Sequence, residues 1–474
     1  MDKNKLTEEF EIEAKWLIDD SKKIHYGILR YSQSSIVVEL PDSDLDFDRK
    51  FTKLIGENQK DIISLFNVRV ISESNKYLTK TKLLAEYMFI DKKPINSVRN
   101  FETNSIYWST DKLALLLNAS VWKSLSKGKG VEYSEIPMKE YKIQSLGATL
   151  SIGYSYVTSS QLTPEGLVDT FKTIPYFNIK YSKAKNIIDI KEDVRRISNL
   201  ICVLSGAPQV ISTFKYSSTG YDVLGNEIPV NSQFYFNQEN PSRKNFQKHH
   251  SAYNFEKISE NFDIILSNFF ENYDGLVPIV QHLRILYSYK NLLESSYIDS
   301  ITSLEAFHTE YYGADKKITT FTEDIILKLK EKTKKDYKNK NGKEEKEKEL
   351  LLTYINNVKK FTLRERLIGL FDEIPVKLKG KFKHSKTDFL NTEDRMEFIR
   401  KSVKARNNFA HGNSGKIFTF DEMLSATYIL SMVSESLLMN KIGLSEEVIV
   451  EGVFGTKIYQ SFLDSTYDFE TPTF

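Results

Sequence analysis

The chain has 474 residues, of which 40% are hydrophobic, 12% aromatic and 27% charged, with a net charge of +2. This length and apolar share predict two or three domains with sizeable cores and exclude an intrinsically disordered chain. Overall charge does not point to a polyanion, so a nucleic-acid site would need a local basic patch.

A single cysteine, Cys202, lies in the apolar stretch I-S-N-L-I-C-V-L and reads as a buried inert thiol. Neither a disulfide framework nor a cysteine-built zinc site is available within one chain. The first twenty residues are charged throughout and carry no apolar targeting core. The longest apolar run, Leu113 to Trp122, falls short of the roughly 20 residues that span a bilayer. A cytoplasmic protein is expected.

The first half reads mainly as strands. Tyr26–Tyr31 and Ser35–Leu40 flank a short polar turn, as in a hairpin. Ile62–Ile71 and Leu83–Ile90 follow, the second closed by the turn residues Asp91–Pro94. Asn104–Trp108 and Tyr141–Tyr156 continue the pattern, and Ile187–Leu204 has the period of an amphipathic helix. Strands resume over Val210–Tyr216 and Gln233–Phe236. These short β-branched and aromatic runs predict a sandwich or barrel-like domain over residues 1–245.

From about Phe255 the period becomes helical. Ile258, Phe262, Ile265 and Phe269 recur at three and four residues. Leu283 to Tyr311 can form one apolar stripe stopped by Gly313. Leu351–Phe371 and Glu393–Phe409 read as further helices, and Asp421 as the cap of a last one reaching about Met439. Residues 246–474 therefore predict an all-α bundle, making the whole an α+β multidomain chain. It is interrupted at about 328–349 by ten lysines and six acidic residues. That charged insertion reads as a solvated helix or disordered segment, with an RNA-contacting arm as the alternative. No phosphate-binding loop, metalloprotease motif, EF-hand loop or nucleophile elbow is present.

One short stretch carries chemistry. R-N-N-F-A-H-G, from Arg406 to Gly412, puts an arginine, an amide and a histidine near the end of a predicted helix. Positions four apart nearly eclipse, so Asn407 and His411 share a face while Phe409 turns inward. Gly412 is a helix stop that leaves His411 at the C-terminal end, where the helix dipole favours imidazolium. Histidine can exchange a proton with an attacking or leaving hydroxyl. Arginine presents a charged fork matched to phosphate oxygens. With RNA, the ribose 2′-hydroxyl supplies the nucleophile, so no metal or cofactor is required. The spacing alone is weak: with 13 arginines and seven histidines, chance produces it about one time in five. On residues alone, a structural pair at a helix end stays open.

The stretch resembles the R-x4-6-H signature of HEPN domains, including the polar residue after the arginine. The chain as a whole is similar to ApeA-like proteins, which join a β-rich N-terminal domain to a C-terminal HEPN bundle. Gly27-Ile28-Leu29, the T-S-L-E-A-F stretch at Thr302–Phe307 and the R-E-R-L segment at Arg364–Leu367 carry the likeness. The resemblance implies a metal-independent endoribonuclease of anti-phage abortive infection, or a toxin, with tRNA among its potential substrates. It implies Arg406, Asn407 and His411 as catalytic residues and Glu305 as a supporting acid on a facing helix. It also implies a homodimer whose two motifs make one composite site, and a regulatory N-terminal domain sensing a phage-derived trigger.

Two other readings remain at this point: a non-catalytic HEPN module that binds nucleotide or RNA, and a ligand-binding interaction protein that dimerises through its helices. His249-His250, beside Arg243, Lys244 and Lys248, read as a wet linker, with RNA contact as the alternative. Trp16, Trp108 and Trp122 read as core residues rather than a ligand groove.

Overall fold

In a computed structural model of the chain, the described residues are 5–18, 24–41, 45–73, 80–118, 120–124, 131–163, 166–221, 227–238, 251–288, 292–316, 320–338, 342–411 and 417–463. They fall into two compact units, Met1–Glu271 and Asn272–Phe474.

The first unit is built on antiparallel strands. These are β1 (Phe10–Leu17), β2 (Ile24–Ser32), β3 (Ser35–Pro41), β4 (Lys50–Glu57), β5 (Ile62–Glu73), β6 (Lys80–Ala85), β7 (Tyr87–Asp91) and β8 (Glu102–Thr110). Then come β9 (Trp122–Ser124), β10 (Val131–Tyr133), β11 (Lys139–Ile143), β12 (Ala148–Thr163), β13 (Gly166–Asn186), β14 (Ile211–Tyr221) and β15 (Glu227–Phe236). The order β5-β4-β1-β2-β3-β6, with β6 pairing back to β5, closes a six-stranded barrel. From β5 the sheet continues outward as β7-β15-β14-β8-β13-β12-β11. Strands β1, β4, β9, β10 and β13 lie outside the segments read as strands from sequence, although Phe10, Ile12, Ala14 and Trp16 of β1 alternate with polar neighbours.

The branch has a local cause. The run Leu83–Ile90, expected as one strand, breaks at Glu86 into β6 and β7. Asn67 adopts a left-handed conformation (φ 53°), and its amide donates to Glu86 Oε2 at 2.6 Å. One half of β5 thereby pairs with β7 and the other half with β6. The barrel interior shows why position 27 of β2 and position 56 of β4 are glycines. Trp16 is fully buried, its Nε1 donates to Gly27 O at 3.3 Å, and it pairs across the sheet with Gly56. A Cβ on Gly27 would stand 2.6 Å from Glu39 O, and one on Gly56 2.5 Å from the Trp16 ring.

Helices complete the first unit: α1 (Leu113–Leu117), α2 (Ile187–Ser205), α3 (Phe255–Ile258) and α4 (Phe262–Glu271). Asn186 caps α2, whose face Ile190, Val194, Ile197 and Ile201 is buried together with Cys202. The division read from sequence falls at 245/246; the chain divides into its compact units between 271 and 272. The reason is that α4 packs on β11, with the Tyr141 and Phe262 rings 5.1 Å apart.

The second unit is helical: α5 (Tyr273–Ser288), α6 (Leu293–Tyr312), α7 (Thr320–Asp336), α8 (Lys343–Asn357), α9 (Leu363–Asp372), α10 (Val376–Lys379), α11 (Thr392–Ala410), α12 (Phe420–Lys441) and α13 (Glu446–Gly455). The expected stripe Leu283–Tyr311 is two helices that pack on each other, with Tyr311 OH donating to Asn272 O at 3.3 Å. The expected helix Leu351–Phe371 is likewise split. The backbone at Lys360 forms an isolated antiparallel β-bridge with that at Asp315, and Thr362 starts α9 afresh with a capping box to Glu365. Thr419, not Asp421, caps α12 through a second capping box with Glu422. Within the charged segment 328–349, the described residues lie mainly in α7 and α8.

Helix α12 runs through the core, buried almost continuously from Ser425 to Met439 and packed against α5, α6, α9 and α13. Its serines are accommodated because Ser425, Ser431 and Ser434 donate to carbonyls of the same helix. Among the described residues, no helix is long and apolar enough to cross a membrane.

Candidate active site

The motif occupies the last turn of α11. Asn391 starts this helix by accepting from the amides of Glu393 and Asp394. Phe398, Ile399, Ser402 and Ala405 face inward and are buried. Tyr297 of α6 fixes the helix from below: its hydroxyl donates to Ser402 O at 2.8 Å, and its ring lies 6.1 Å from that of Phe409. With this side anchored, Arg400, Lys404, Asn407 and His411 fall at three- and four-residue spacing on the exposed side. Lys401 is exposed beside them; Arg400 donates to both Glu397 carboxylate oxygens at 2.6–2.7 Å, so the local basic stripe in this chain of little net charge rests on Lys401 and Lys404.

His411 ends α11 as its C-cap residue (φ −102°, ψ 7°), its amide donating to Asn407 O at 3.1 Å. The ring is exposed, and Gly412 lies outside the described residues. The other histidines of this unit are built into the core. Burial pushes His282 and His384 down to about 4, and burial together with the Arg366 charge lowers His308. His411 is thus the one exposed histidine among the described residues of the helical unit.

Arg406 is half-buried at the side of this stripe. Its Nη2 donates to Glu305 Oε2 at 3.4 Å, and its Nη1 donates to Asn407 Oδ1 at 3.4 Å. The four residues read from sequence are therefore linked through Arg406 and α11. The Asn407 amide engages the arginine in this structure; its contact with His411 is through the backbone. Glu305 and Arg406 are 32% and 31% exposed, so solvent screens their attraction. A pair of this class contributes less than about 1 kcal/mol to stability, and its main effect is orientation.

Glu305 has a second cationic neighbour that sequence reasoning did not single out. Arg366, at the start of α9, places Nη1 3.8 Å from Glu305 Oε1 and donates to Glu305 O at 3.4 Å. Arg366 belongs to the R-E-R-L segment and Glu305 to T-S-L-E-A-F. The signal was in view, but two segments about 60 residues apart acquire a common role only when α6 and α9 pack together.

Residues 298–448 match the family model described as Apea-like HEPN, and residues 11–269 match the one described as ApeA N-terminal domain 1. The chain belongs to the ApeA-like HEPN family. Glu305, Arg366, Arg406, Asn407 and His411 all lie within the HEPN match, and the barrel lies almost entirely within the N-terminal one. Comparison with curated proteins and with solved structures finds no match.

The remaining candidates of this ApeA-like chain sort by burial. Trp16 and Trp108 are core residues, while the Trp122 side chain lies outside the described residues. Arg243, Lys244, Lys248, His249 and His250 also lie outside them. Among the described residues, no cluster of three His, Cys, Asp or Glu side chains has the arrangement of a metal site.

Proposed function

We propose that this ApeA-like HEPN protein is a metal-independent endoribonuclease acting in anti-phage abortive infection. The observation that carries the reading is the last turn of α11. There an exposed histidine ends the helix that also presents a carboxylate-held arginine and a basic stripe.

Arg406 binds the scissile phosphodiester and stabilises the charge that develops on its oxygens. His411 takes the proton from the ribose 2′-hydroxyl as O2′ attacks phosphorus. The bond to O5′ breaks, and the leaving oxygen is protonated by an imidazolium. The products carry a 2′,3′-cyclic phosphate and a 5′-hydroxyl, and DNA, lacking the 2′-hydroxyl, survives. Asn407 keeps the Arg406 fork and the substrate aligned. In a homodimer with a composite site, a second copy brings its own motif, so base and acid can come from different chains. The substrate class is RNA, with tRNA one member. The N-terminal domain senses a phage-derived trigger, and the protein works in the cytoplasm.

The test is incubation of purified protein with total RNA in EDTA, beside His411→Ala and Arg406→Ala variants. Wild-type cleavage with cyclic-phosphate ends, lost in both variants, is expected. Equal cleavage by wild type and variants overturns the assignment. If the protein needs its trigger, growth arrest on overexpression, relieved by His411→Ala, reads the same activity in cells.

A further inference from the structure

Arg366 is held more firmly than Arg406. Its side chain is 11% exposed. Nε donates to Phe361 O at 3.3 Å; Nη1 donates to Glu305 O at 3.4 Å and to Thr309 Oγ1. Thr309 Oγ1 in turn donates to Glu305 O at 2.8 Å. Arg406, by contrast, is three times as exposed, and the polar contacts of its guanidinium are both 3.4 Å long. The Glu305 carboxylate stands between the two, one oxygen toward each guanidinium.

The asymmetry has a physical meaning. A long arginine near a helix end has many rotamers, and a single half-buried carboxylate restrains it poorly because that carboxylate also rotates. A second, immobile cation on the other oxygen narrows the orientations of Glu305 and, through it, those of Arg406. Catalysis by a phosphate-binding fork needs such restraint, since small misplacements are costly.

We propose that Arg366 is a positioning residue for Arg406, acting through the Glu305 carboxylate. The inference rests on the nuclease reading above. It adds a residue outside the R-x4-H motif and predicts a chain of dependence from Arg366 to Glu305 to Arg406.

Cleavage of a labelled RNA oligonucleotide by wild type, Arg366→Gln, Glu305→Gln and the double variant tests it, with melting temperatures measured alongside. Arg366→Gln should lower kcat about tenfold or more, with KM little changed. The double variant should cut no more slowly than Glu305→Gln alone, because the path is already broken. Arg366→Lys, which keeps the charge, should recover part of kcat and also guards against a folding failure of the glutamine variant. A residue that only ties α6 to α9 would lower the melting temperature and leave the kcat of the folded fraction intact. Wild-type kcat in Arg366→Gln, or an equal drop in the Glu305→Gln background, overturns the proposal. If wild type cuts RNA, His411→Ala does not and Arg366→Gln is unaffected, only the positioning role falls. If wild type neither cuts RNA nor arrests growth, the nuclease reading falls and this role falls with it.

Discussion

Acid should unfold the helical half of the protein before the barrel half, and His282 shows why. The residue is 3% exposed, and its Nε2 lies 2.8 Å from Ser431 Oγ. Ser431 already donates its own proton to Thr427 O at 2.7 Å. The ring nitrogen must therefore be the donor, which leaves Nδ1 as the site of any added proton. Burial brings His282 from its ordinary 6.5 to about 4. His384 behaves alike: it is 4% exposed, its Nδ1 lies 2.7 Å from Ser425 Oγ, and burial outweighs the opposing Glu422 charge.

A folded-state value below the unfolded one means that the unfolded chain binds the proton first. Stability is complete above about pH 6.5 and is lost as pH falls toward 4. Over that window each histidine contributes a slope of about 1.4 kcal/mol per pH unit, reaching roughly 3 kcal/mol. Two such residues approach the total stability of an ordinary domain, about 5–15 kcal/mol.

All three tryptophans lie in the first unit, and most of the helix lies in the second. Urea unfolding followed by circular dichroism at the helical band therefore reports the second unit, and tryptophan fluorescence the first. Between pH 7 and 5 the helical transition should fall more steeply than the fluorescence transition. His282→Gln, which can still donate to Ser431, should reduce the pH slope by about 1.4 kcal/mol per unit. An unchanged slope in that variant would refute the reasoning.

Two further outcomes follow from the same geometry. Gly56→Ala places a methyl 2.5–2.8 Å from the Trp16 ring, so the fluorescence transition should lose about 1–3 kcal/mol, partly restored by Trp16→Leu in the same chain. Lys404→Glu, made in a His411→Ala background to block cleavage, should weaken RNA binding and flatten its logarithmic salt dependence by about 0.7 or more. Fluorescence anisotropy across salt concentrations measures this, and an unchanged slope would mean that α11 does not carry the RNA backbone.

Much of the helical pattern, in both units, was legible because helical order is local. The recurrence of Ile258, Phe262, Ile265 and Phe269 survives in the structure as α3, one 3-10 turn and α4. The errors there are errors of continuity. Leu283–Tyr311 and Leu351–Phe371 each contain enough apolar residues for one stripe, yet each is two helices. Thr362 marks one break with a capping signature that was readable in the sequence. The strands were less legible. Whether Leu83–Ile90 continues or breaks depends on the left-handed turn at Asn67 and its bond to Glu86, 19 residues away.

The R-x4-H spacing, its place at a helix end and the membership of both halves in one family were determined by sequence alone. Helix geometry converts a separation of four residues directly into a shared face. What the tertiary structure decided is the surroundings of that face. Packing of α6, α9 and α11 brings Glu305 to Arg406 across 101 residues and Arg366 to Glu305 across 61. No local period encodes such distances. They arise because each helix must bury its apolar side, and burying those sides brings the three polar groups together.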